Sequence, residues 1–215
     1  MKVLLINGSP HKNGSTFHAL RIVEDALIEE GIETEIFHIG SGPVQGCTGC
    51  MYCKTHPGSP CVIKDRVSEC SEKLLAADGV ILGAPCYFGG PNGAFTAFLD
   101  RAFYPINERL HHKLGASVTT LRRAGATATL NRLNLYFTNT MMHIVSSSYW
   151  PMLHGFVPEE QQEDKEGLEV LAVLGKNMAW MLKCIDASNI PAPQYANRTR
   201  TSFVREAEKP SYYKV

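Results

Sequence analysis

A regular alternation of short apolar runs with longer segments of helical periodicity is the feature that most constrains the fold of this chain. The first run, residues 2–6, leads through a polar loop into residues 17–30, where apolar side chains recur at helical spacing. Residues 34–39 have the character of a second strand, which completes a unit of two parallel strands and a crossover helix. The run at 79–84 is continuously apolar, as expected of a strand covered on both faces. The alternation therefore predicts an α/β fold with a parallel sheet.

The same alternation continues along the chain and predicts five strand-helix units in one doubly wound domain over residues 1–188. The remaining strands are predicted at 115–121 and 143–149, and the remaining helices at 65–77, 91–104, 126–138 and 163–185. An insertion at 41–64 is rich in Gly, Pro, Ser and Cys and has no apolar period. Residues 189–215 are predicted to form an extended tail that packs on the body or on a partner subunit.

Charge and hydropathy argue against two classes of partner. The 215 residues include 21 Lys and Arg and 21 Asp and Glu, so no basic excess directs the chain to nucleic acid or anionic lipid. No apolar run approaches the ~20 residues that a membrane span needs, and the first residues lack the apolar stretch of a signal peptide. We therefore expect a cytoplasmic protein that binds neither nucleic acid nor membrane.

The loop after the first predicted strand, GSPHKNGST at 8–16, has the components of an anion-binding cradle. It lies where open parallel sheets bind ligands, and it offers two glycines, several hydroxyls, an amide and a helix that starts near Ser15. Five residues separate Gly8 from Gly14 and no lysine follows, which excludes both the dinucleotide fingerprint and the Walker loop. Such a cradle favours the terminal phosphate of a mononucleotide such as FMN. The alternative is a capped helix start that binds nothing.

Four of the seven cysteines form a compact run, C-x2-C-x2-C-x7-C, made of Cys47, Cys50, Cys53 and Cys61. An odd number of cysteines, clustered rather than spread, argues against a secreted disulfide framework. Two-residue gaps let successive thiolates converge on one centre, whereas structural zinc sites usually pair two such knuckles a dozen or more residues apart. The spacing favours a [4Fe-4S] cluster over zinc, and free thiols or a labile disulfide are the third alternative.

The segment after the third predicted strand, PCYFGG at 85–90, offers a wall for a flat aromatic ligand. Two adjacent aromatic residues and two glycines combine an apolar surface with close backbone approach, which a flavin ring needs for stacking and for hydrogen bonds to its polar edge. Taken alone, Tyr87 and Phe88 are more often core residues. Their position at the ligand-binding edge of the sheet favours a role in a flavin site.

Three segments together resemble a known family: KVLLINGSPHKNGST, AADGVILGAPCYFGGPNGAFTAFLDR and the cysteine run between them. They are similar to the NADPH-dependent FMN reductase superfamily of flavodoxin-like proteins, and more narrowly to the iron-sulfur flavoproteins. The resemblance implies a flavodoxin-like, doubly wound, five-stranded parallel sheet with strand order 2-1-3-4-5. It also implies FMN as cofactor and supports a cluster on the four cysteines.

The resemblance also implies which residues contact FMN. Contacts to the phosphate fall on Ser9, His11, Asn13, Ser15 and Thr16. Contacts around the flavin ring fall on Pro85, Cys86, Tyr87, Phe88, Gly89, Thr120 and Arg123. This chain departs from the family at His11, where arginine is usual, and at Cys86, where an aliphatic residue is usual and where we expect an inert packing thiol. The loop that holds Thr120 and Arg123 has side chains where glycines usually stand.

The resemblance implies an FMN-dependent oxidoreductase of the iron-sulfur flavoprotein type, which passes electrons between NAD(P)H or a reduced carrier and an acceptor. FMN then carries the chemistry and no catalytic acid or base is required. One alternative is a cluster-free NAD(P)H:FMN or quinone reductase, and another is a redox-sensing module without enzymatic activity. Because a flavin on an open sheet edge needs further cover, we expect a homodimer or homotetramer with the ring near an interface.

Overall fold

A parallel sheet forms the centre of the computed structural model, which describes residues 1–194, 201 and 203. The strands are β1 (Lys2–Asn7), β2 (Glu33–His38), β3 (Gly79–Tyr87), β4 (Gly90–Pro91), β5 (Leu114–Leu121), β6 (His143–Ile144) and β7 (Met152–His154). The main path runs β2-β1-β3-β5-β6 with every neighbouring pair parallel. The two-residue β4 pairs antiparallel with β3, and β7 pairs parallel with β5. Without β4 in the count, the predicted strand order 2-1-3-4-5 is confirmed.

Helices cover both faces of the sheet, as the doubly wound prediction requires. They are α1 (Ser15–Glu29), α2 (Tyr52–Thr55), α3 (Val67–Ala76), α4 (Gly93–Phe103), α5 (Ala126–Asn139) and α6 (Lys165–Ala187), with 3-10 helices at Tyr104–Arg109 and Glu160–Glu163. Successive side chains of β1 point to opposite faces. Val3 and Leu5 pack into a core with α1 and α6, whereas Leu4 and Ile6 pack into a second core with α3, α4 and α5. Both cores lie between helices and sheet, so the carboxyl edge of the strands is left for loops.

The predicted fifth strand, residues 143–149, is wrong in length. Its ladder stops at Ile144, and β7 takes the next place along β5. The intervening residues bond to α6 instead of continuing the ladder: the Ser147 hydroxyl donates to the carbonyl of Val170 at 2.6 Å, and the Asn177 amide donates to the carbonyl of Ser146 at 2.9 Å. Tertiary hydrogen bonds therefore draw this segment away from the sheet edge.

The last helix begins at a side-chain cap. One oxygen of Asp164 accepts from the backbone N–H of Gly167 at 3.0 Å, and the other accepts from the backbone N–H of His154 at 2.7 Å. Burial opposes ionisation, but these hydrogen bonds outweigh it and hold the pKa of Asp164 below its ordinary value. The cap thus ties α6 to the end of β7.

The chain beyond α6 was predicted to be an extended tail, residues 189–215. Most of that segment lies outside the described residues, so the tail and the domain boundary at 188 stay predictions. Within the described part of the chain, no helix has both the length and the apolar character required to cross a membrane.

Candidate functional site

The loop between β1 and α1 is folded on itself by its own polar groups. Asn7, at the end of β1, accepts from the backbone N–H of Ser9 at 3.0 Å and donates to the carbonyl of Lys12 at 3.1 Å. The buried Ser9 hydroxyl accepts from the N–H of His11 at 3.1 Å. Gly14 stands at the N-cap of α1, and no side chain of the described residues caps this helix end. The first-turn N–H groups of α1 are therefore left without a side-chain acceptor, which suits an anion.

Two threonines join this loop to the neighbouring strand β5. Thr16, in the first turn of α1, and Thr120, near the end of β5, are both buried, and their hydroxyl oxygens lie 2.9 Å apart. The pair owns two hydroxyl protons and uses one between its members, so the second proton is available to another acceptor. The structure thus brings together two predicted site residues that are more than a hundred positions apart.

The other predicted residues of this loop are more exposed. The hydroxyl of Ser15 donates to the carbonyl of Phe156 at 3.4 Å, which draws the segment after β7 over the start of α1. His11 and Asn13 have exposed side chains at the tip of the loop. None of these three side chains caps the start of α1.

The loop is held against β3 and α4 by contacts that the sequence did not reveal. The N–H of Gly8 donates to the carbonyl of Gly83 at 2.8 Å, and the side-chain amide of Asn92 donates to the carbonyl of Gly8 at 2.9 Å. A Cβ at Gly8 would lie 2.3 Å from the ring of Phe95, so only glycine fits there. Asn92 occupies the N-cap position of α4, where asparagine normally predicts a helix cap, yet its amide holds the loop between β1 and α1.

The segment at 85–90, predicted to form a wall for the flavin ring, begins within β3 rather than after it. β3 continues to Tyr87, three residues beyond the predicted end, so Pro85 and Cys86 belong to the strand. Phe88 and Gly89 then form a turn with positive φ values of 50° and 74°. The Phe88 side chain is fully exposed and that of Tyr87 is about half exposed, at 47%. An aromatic surface held outward by a strained turn is typical of a ligand-binding or interface position.

The loops after β3 and β5 are packed against each other. Pro85 and Thr120 are register partners on neighbouring strands. Gly125 has a φ of 99°, and a Cβ there would lie 2.5 Å from the sulfur of Cys86 and 2.9 Å from the Cα of Gly89. Sequence reasoning missed Gly125, although a glycine directly before a helix was a signal for a special backbone conformation. The loops after β3 and β5 therefore approach each other closely at Gly125, although the loop after β5 lacks most of the glycines expected from the family resemblance.

Arg123 lies in this second loop with an exposed side chain. The thiol of Cys86 faces the same loop, where it donates to the carbonyl of Ala124 at 3.4 Å. Cys86 is partly buried and helps to join the two loops, and its role as an inert packing thiol stays a prediction.

The four cysteines of the run line one cavity of about 440 Å³, whose other walls come from α4, α5 and the 3-10 helix between α4 and β5. Cys47 and Cys50 are exposed, whereas Cys53 and Cys61 are partly buried, and no disulfide joins any of the four to another described residue. Burial raises the pKa of the Cys53 thiol above its ordinary value. Within the described residues, no three His, Cys, Asp or Glu side chains are close enough together to hold a metal ion. Four cysteine thiols around one cavity have the donor chemistry of a metal centre. The thiols must come closer together before they can ligate one metal ion or cluster.

The other cysteines have different surroundings. Cys70 is buried in the core, where burial strongly raises the pKa of its thiol. Cys184 is exposed on α6 and lines neither the cysteine cavity nor the loops described above. Cys70 is therefore an inert packing group, and Cys184 is a suitable control.

Comparison with known proteins bears on both the loops and the cysteine run. A family model described as NADPH-dependent FMN reductase matches residues 1–156, which include all seven strands of the described sheet. The chain belongs to this family. The FMN reductase match makes the protein an FMN-dependent oxidoreductase, and the matched residues include the loop at 8–16.

Among the relatives of this FMN reductase family member are proteins named iron-sulfur flavoproteins. An iron-sulfur flavoprotein of Methanocaldococcus jannaschii is 34% identical over 194 residues, covering 86% of this chain and 99% of that protein. An iron-sulfur flavoprotein of Archaeoglobus fulgidus is 33% identical over 162 residues, covering 74% of this chain and 79% of that protein. The crystal structure of a WrbA-like flavodoxin protein from Agrobacterium tumefaciens has a TM-score of 0.59 at 20% identity, covering 85% of this chain and 96% of that one. The predicted family and flavodoxin-like fold are confirmed.

Proposed function

We propose that this chain is an FMN oxidoreductase of the iron-sulfur flavoprotein type, which passes electrons between NAD(P)H or a reduced carrier and an acceptor. The observation that carries the proposal is the meeting of three segments at one edge of the sheet. The loop after β1 meets β5 through Thr16 and Thr120, and β3 meets the loop after β5 through Cys86 and Gly125. Ligands of doubly wound sheets bind at such an edge. The electron partners and the cytoplasmic location stay predictions.

The phosphate of FMN is assigned to the uncapped start of α1. Backbone N–H groups at a helix N-terminus attract an anion, and the hydroxyl of Thr16 adds a side-chain donor. The hydroxyl of Ser15 adds another when its proton turns from the carbonyl of Phe156 to the phosphate. Asn92 does not need to touch the phosphate, because its role is to hold the carbonyl of Gly8 and thereby the shape of the loop. His11 and Asn13 lie at the exposed tip, where they can close over the ligand.

The flavin ring is assigned to the surface formed by Pro85, Tyr87, Phe88 and Gly89, with Thr120 and Arg123 on its far side. Aromatic side chains provide stacking area, and the turn at Phe88 and Gly89 exposes backbone groups for the polar edge of the ring. When bound, FMN supplies the redox chemistry by accepting a hydride or single electrons. The residues of this chain bind and orient the ring and limit its contact with water.

The four cysteines are assigned to a [4Fe-4S] centre. The proposal is supported by their spacing, by the cavity that they share, and by the names of relatives that match most of the chain. The second candidate function is a cluster-free NAD(P)H:FMN or quinone reductase, which is favoured by the dispersed arrangement of the four thiols within the described residues.

Anaerobic purification, followed by flavin, iron and sulfide analysis and a visible spectrum, tests this function. We expect flavin and iron in the wild type, and flavin without iron or sulfide in Cys50→Ala, because a cluster loses its stability when one ligand is removed. Cys184→Ala is the matched control and keeps both. An iron content that is equal in wild type and Cys50→Ala, or no iron in either protein after reconstitution, would refute the cluster and favour the cluster-free reductase. Rapid flavin reduction by NAD(P)H in a stopped-flow instrument would then support that second candidate.

A homo-oligomer is part of the proposal because the candidate site exposes aromatic side chains. Phe88 is fully exposed, and Phe156, whose carbonyl contacts Ser15 beside the phosphate loop, is 72% exposed. Surfaces of this kind are usually covered by a ligand or a subunit. Light scattering of the FMN-bound protein at micromolar concentration is expected to show a dimer or tetramer. A monomer that still holds FMN would contradict this part of the proposal.

A further inference from the structure

A buried arginine on α4 has every donor engaged. Arg101 is 2% exposed, and a guanidinium carries five N–H bonds. Its Nε donates to the sulfur of Cys61 at 3.4 Å, and its two amino groups donate to the carboxylate of Asp65 at 2.6 and 3.0 Å. The remaining two N–H bonds go to the carbonyls of Gln45 and Ile63, both at 3.1 Å. One side chain therefore makes five hydrogen bonds, and all of its acceptors belong to a single stretch of the chain.

That stretch is the cysteine segment, residues 45–65. Gln45 precedes the first cysteine of the run by two residues, whereas Cys61 is its last member and Asp65 follows the insertion. The guanidinium thus bridges the two ends of the segment and fixes both to α4. Between these ends the described residues have little regular structure, since α2 spans only four of them. The arginine is the point at which this irregular segment is attached to a rigid helix.

The hydrogen bond to Cys61 has a further chemical consequence. An N–H from a cation stabilises negative charge on sulfur, and hydrogen bonds to the sulfurs of a cluster are among the factors that set its reduction potential. Groups that orient metal ligands also contribute to metal affinity, and their loss typically weakens binding by about 10–100-fold. Asp65 balances the buried charge, so the arginine can keep its position whether or not a metal is bound.

We propose that Arg101 is the positioning residue of the four-cysteine centre: it fixes the ends of the segment before a metal binds and holds an N–H on the sulfur of Cys61. The proposal rests on the proposed function as far as the metal is concerned. Its structural part, the attachment of residues 45–65 to α4, applies to the metal-free chain as well.

The experiment compares Arg101→Gln and Arg101→Lys with Arg132→Gln. Arg132 lines the same cavity, but its hydrogen bonds go to Asp100 and Tyr136 rather than to the cysteine segment. In iron-free protein, hydrogen exchange of residues 45–65 is expected to become several-fold faster in both Arg101 variants and to stay unchanged in Arg132→Gln. Exchange of β1 reports whether the core remains folded. If Arg101→Gln does not fold, Arg101→Lys decides, because it keeps the charge but carries three donors on one nitrogen instead of five in a planar fork, and so cannot reproduce the five hydrogen bonds.

In reconstituted protein, we expect iron release to a chelator to be about 10–100-fold faster in the Arg101 variants, with a lower midpoint potential of the centre and an unchanged potential of FMN. Exchange rates and iron release equal to those of Arg132→Gln would overturn the proposal. A wild type that takes up no iron would refute the cluster, whereas hydrogen exchange in the iron-free protein would still decide the positioning role. The two failures are therefore distinguishable.

Discussion

The buried hydroxyl pair between α1 and β5 allows a prediction that separates folding from FMN binding. Thr16→Val and Thr120→Val each replace a hydroxyl by a methyl group of similar size, and the double variant replaces both. The two oxygens are 2.9 Å apart and both residues are at most 3% exposed. Each single change therefore leaves one buried hydroxyl without its partner, whereas the double change leaves an apolar contact.

In the FMN-free protein, each single variant is expected to lose about 1–3 kcal/mol of unfolding free energy, because an unsatisfied buried polar group carries its full desolvation cost. The double variant should lose less than the sum of the two, with a coupling of about 1 kcal/mol or more. FMN affinity should behave differently. Loss of a hydroxyl that donates to a charged phosphate costs about 1.5–3 kcal/mol, or roughly 10–150-fold in Kd, and the double variant does not recover it.

Urea unfolding of the FMN-free protein and calorimetric titration with FMN measure the two effects. Thr138→Val, an exposed threonine on α5, is the control and should change stability by less than about 0.5 kcal/mol. If the double variant loses as much unfolding free energy as the two single variants together, the hydroxyl pair is refuted. Wild-type FMN affinity in Thr16→Val would refute the assignment of the phosphate to this loop.

Two further predictions follow from the packing. Gly8→Ala places a methyl group 2.3 Å from the ring of Phe95, so it should lower the unfolding free energy in urea by about 1–3 kcal/mol and weaken FMN binding. Gly42→Ala is the control, because nothing lies within 4 Å of a Cβ there, and it should change neither quantity. Equal effects of the two substitutions would contradict the close approach of Gly8 and Phe95. Asp164→Ala removes the cap of α6 and should cost about 1 kcal/mol at pH 7. Because the native pKa of Asp164 is lowered, this contribution is complete above its ordinary pKa of 3.8 and is lost as the pH falls through the lower native value. The cost should therefore shrink as the pH is lowered below 3.8, and a cost in acid-unfolding measurements that does not decrease from its value at pH 7 would contradict the assignment.

The sequence predicted those features that depend on local pattern. The apolar runs and helical periods located the strands and helices of a parallel sheet, whereas the strand order came from the resemblance to the family. The glycines and hydroxyls of residues 8–16 located the candidate phosphate loop because they are contiguous. The fifth strand failed because its course is decided by hydrogen bonds from Ser147 and Asn177 to distant groups. No local signal in the sequence distinguishes a strand that continues from one that is drawn away by a helix.

The missed residues act through space rather than along the chain. Asn92 has the sequence position of a helix cap, yet it binds the carbonyl of Gly8. Arg101 lies on α4 and carries no signal of its own in the sequence, yet it is buried against Cys61. Such contacts link segments that are 40 or more residues apart, and only the packing of α4 against the loops brings them together.

The most direct test of the flavin assignment is a calorimetric comparison of FMN with riboflavin, which lacks the phosphate. If the start of α1 and the hydroxyls of Ser15 and Thr16 hold the phosphate, one FMN should bind per chain and riboflavin should bind at least about 100-fold more weakly, since several charge-assisted hydrogen bonds are lost. Equal affinity for FMN and riboflavin, or no binding of FMN, would contradict the account.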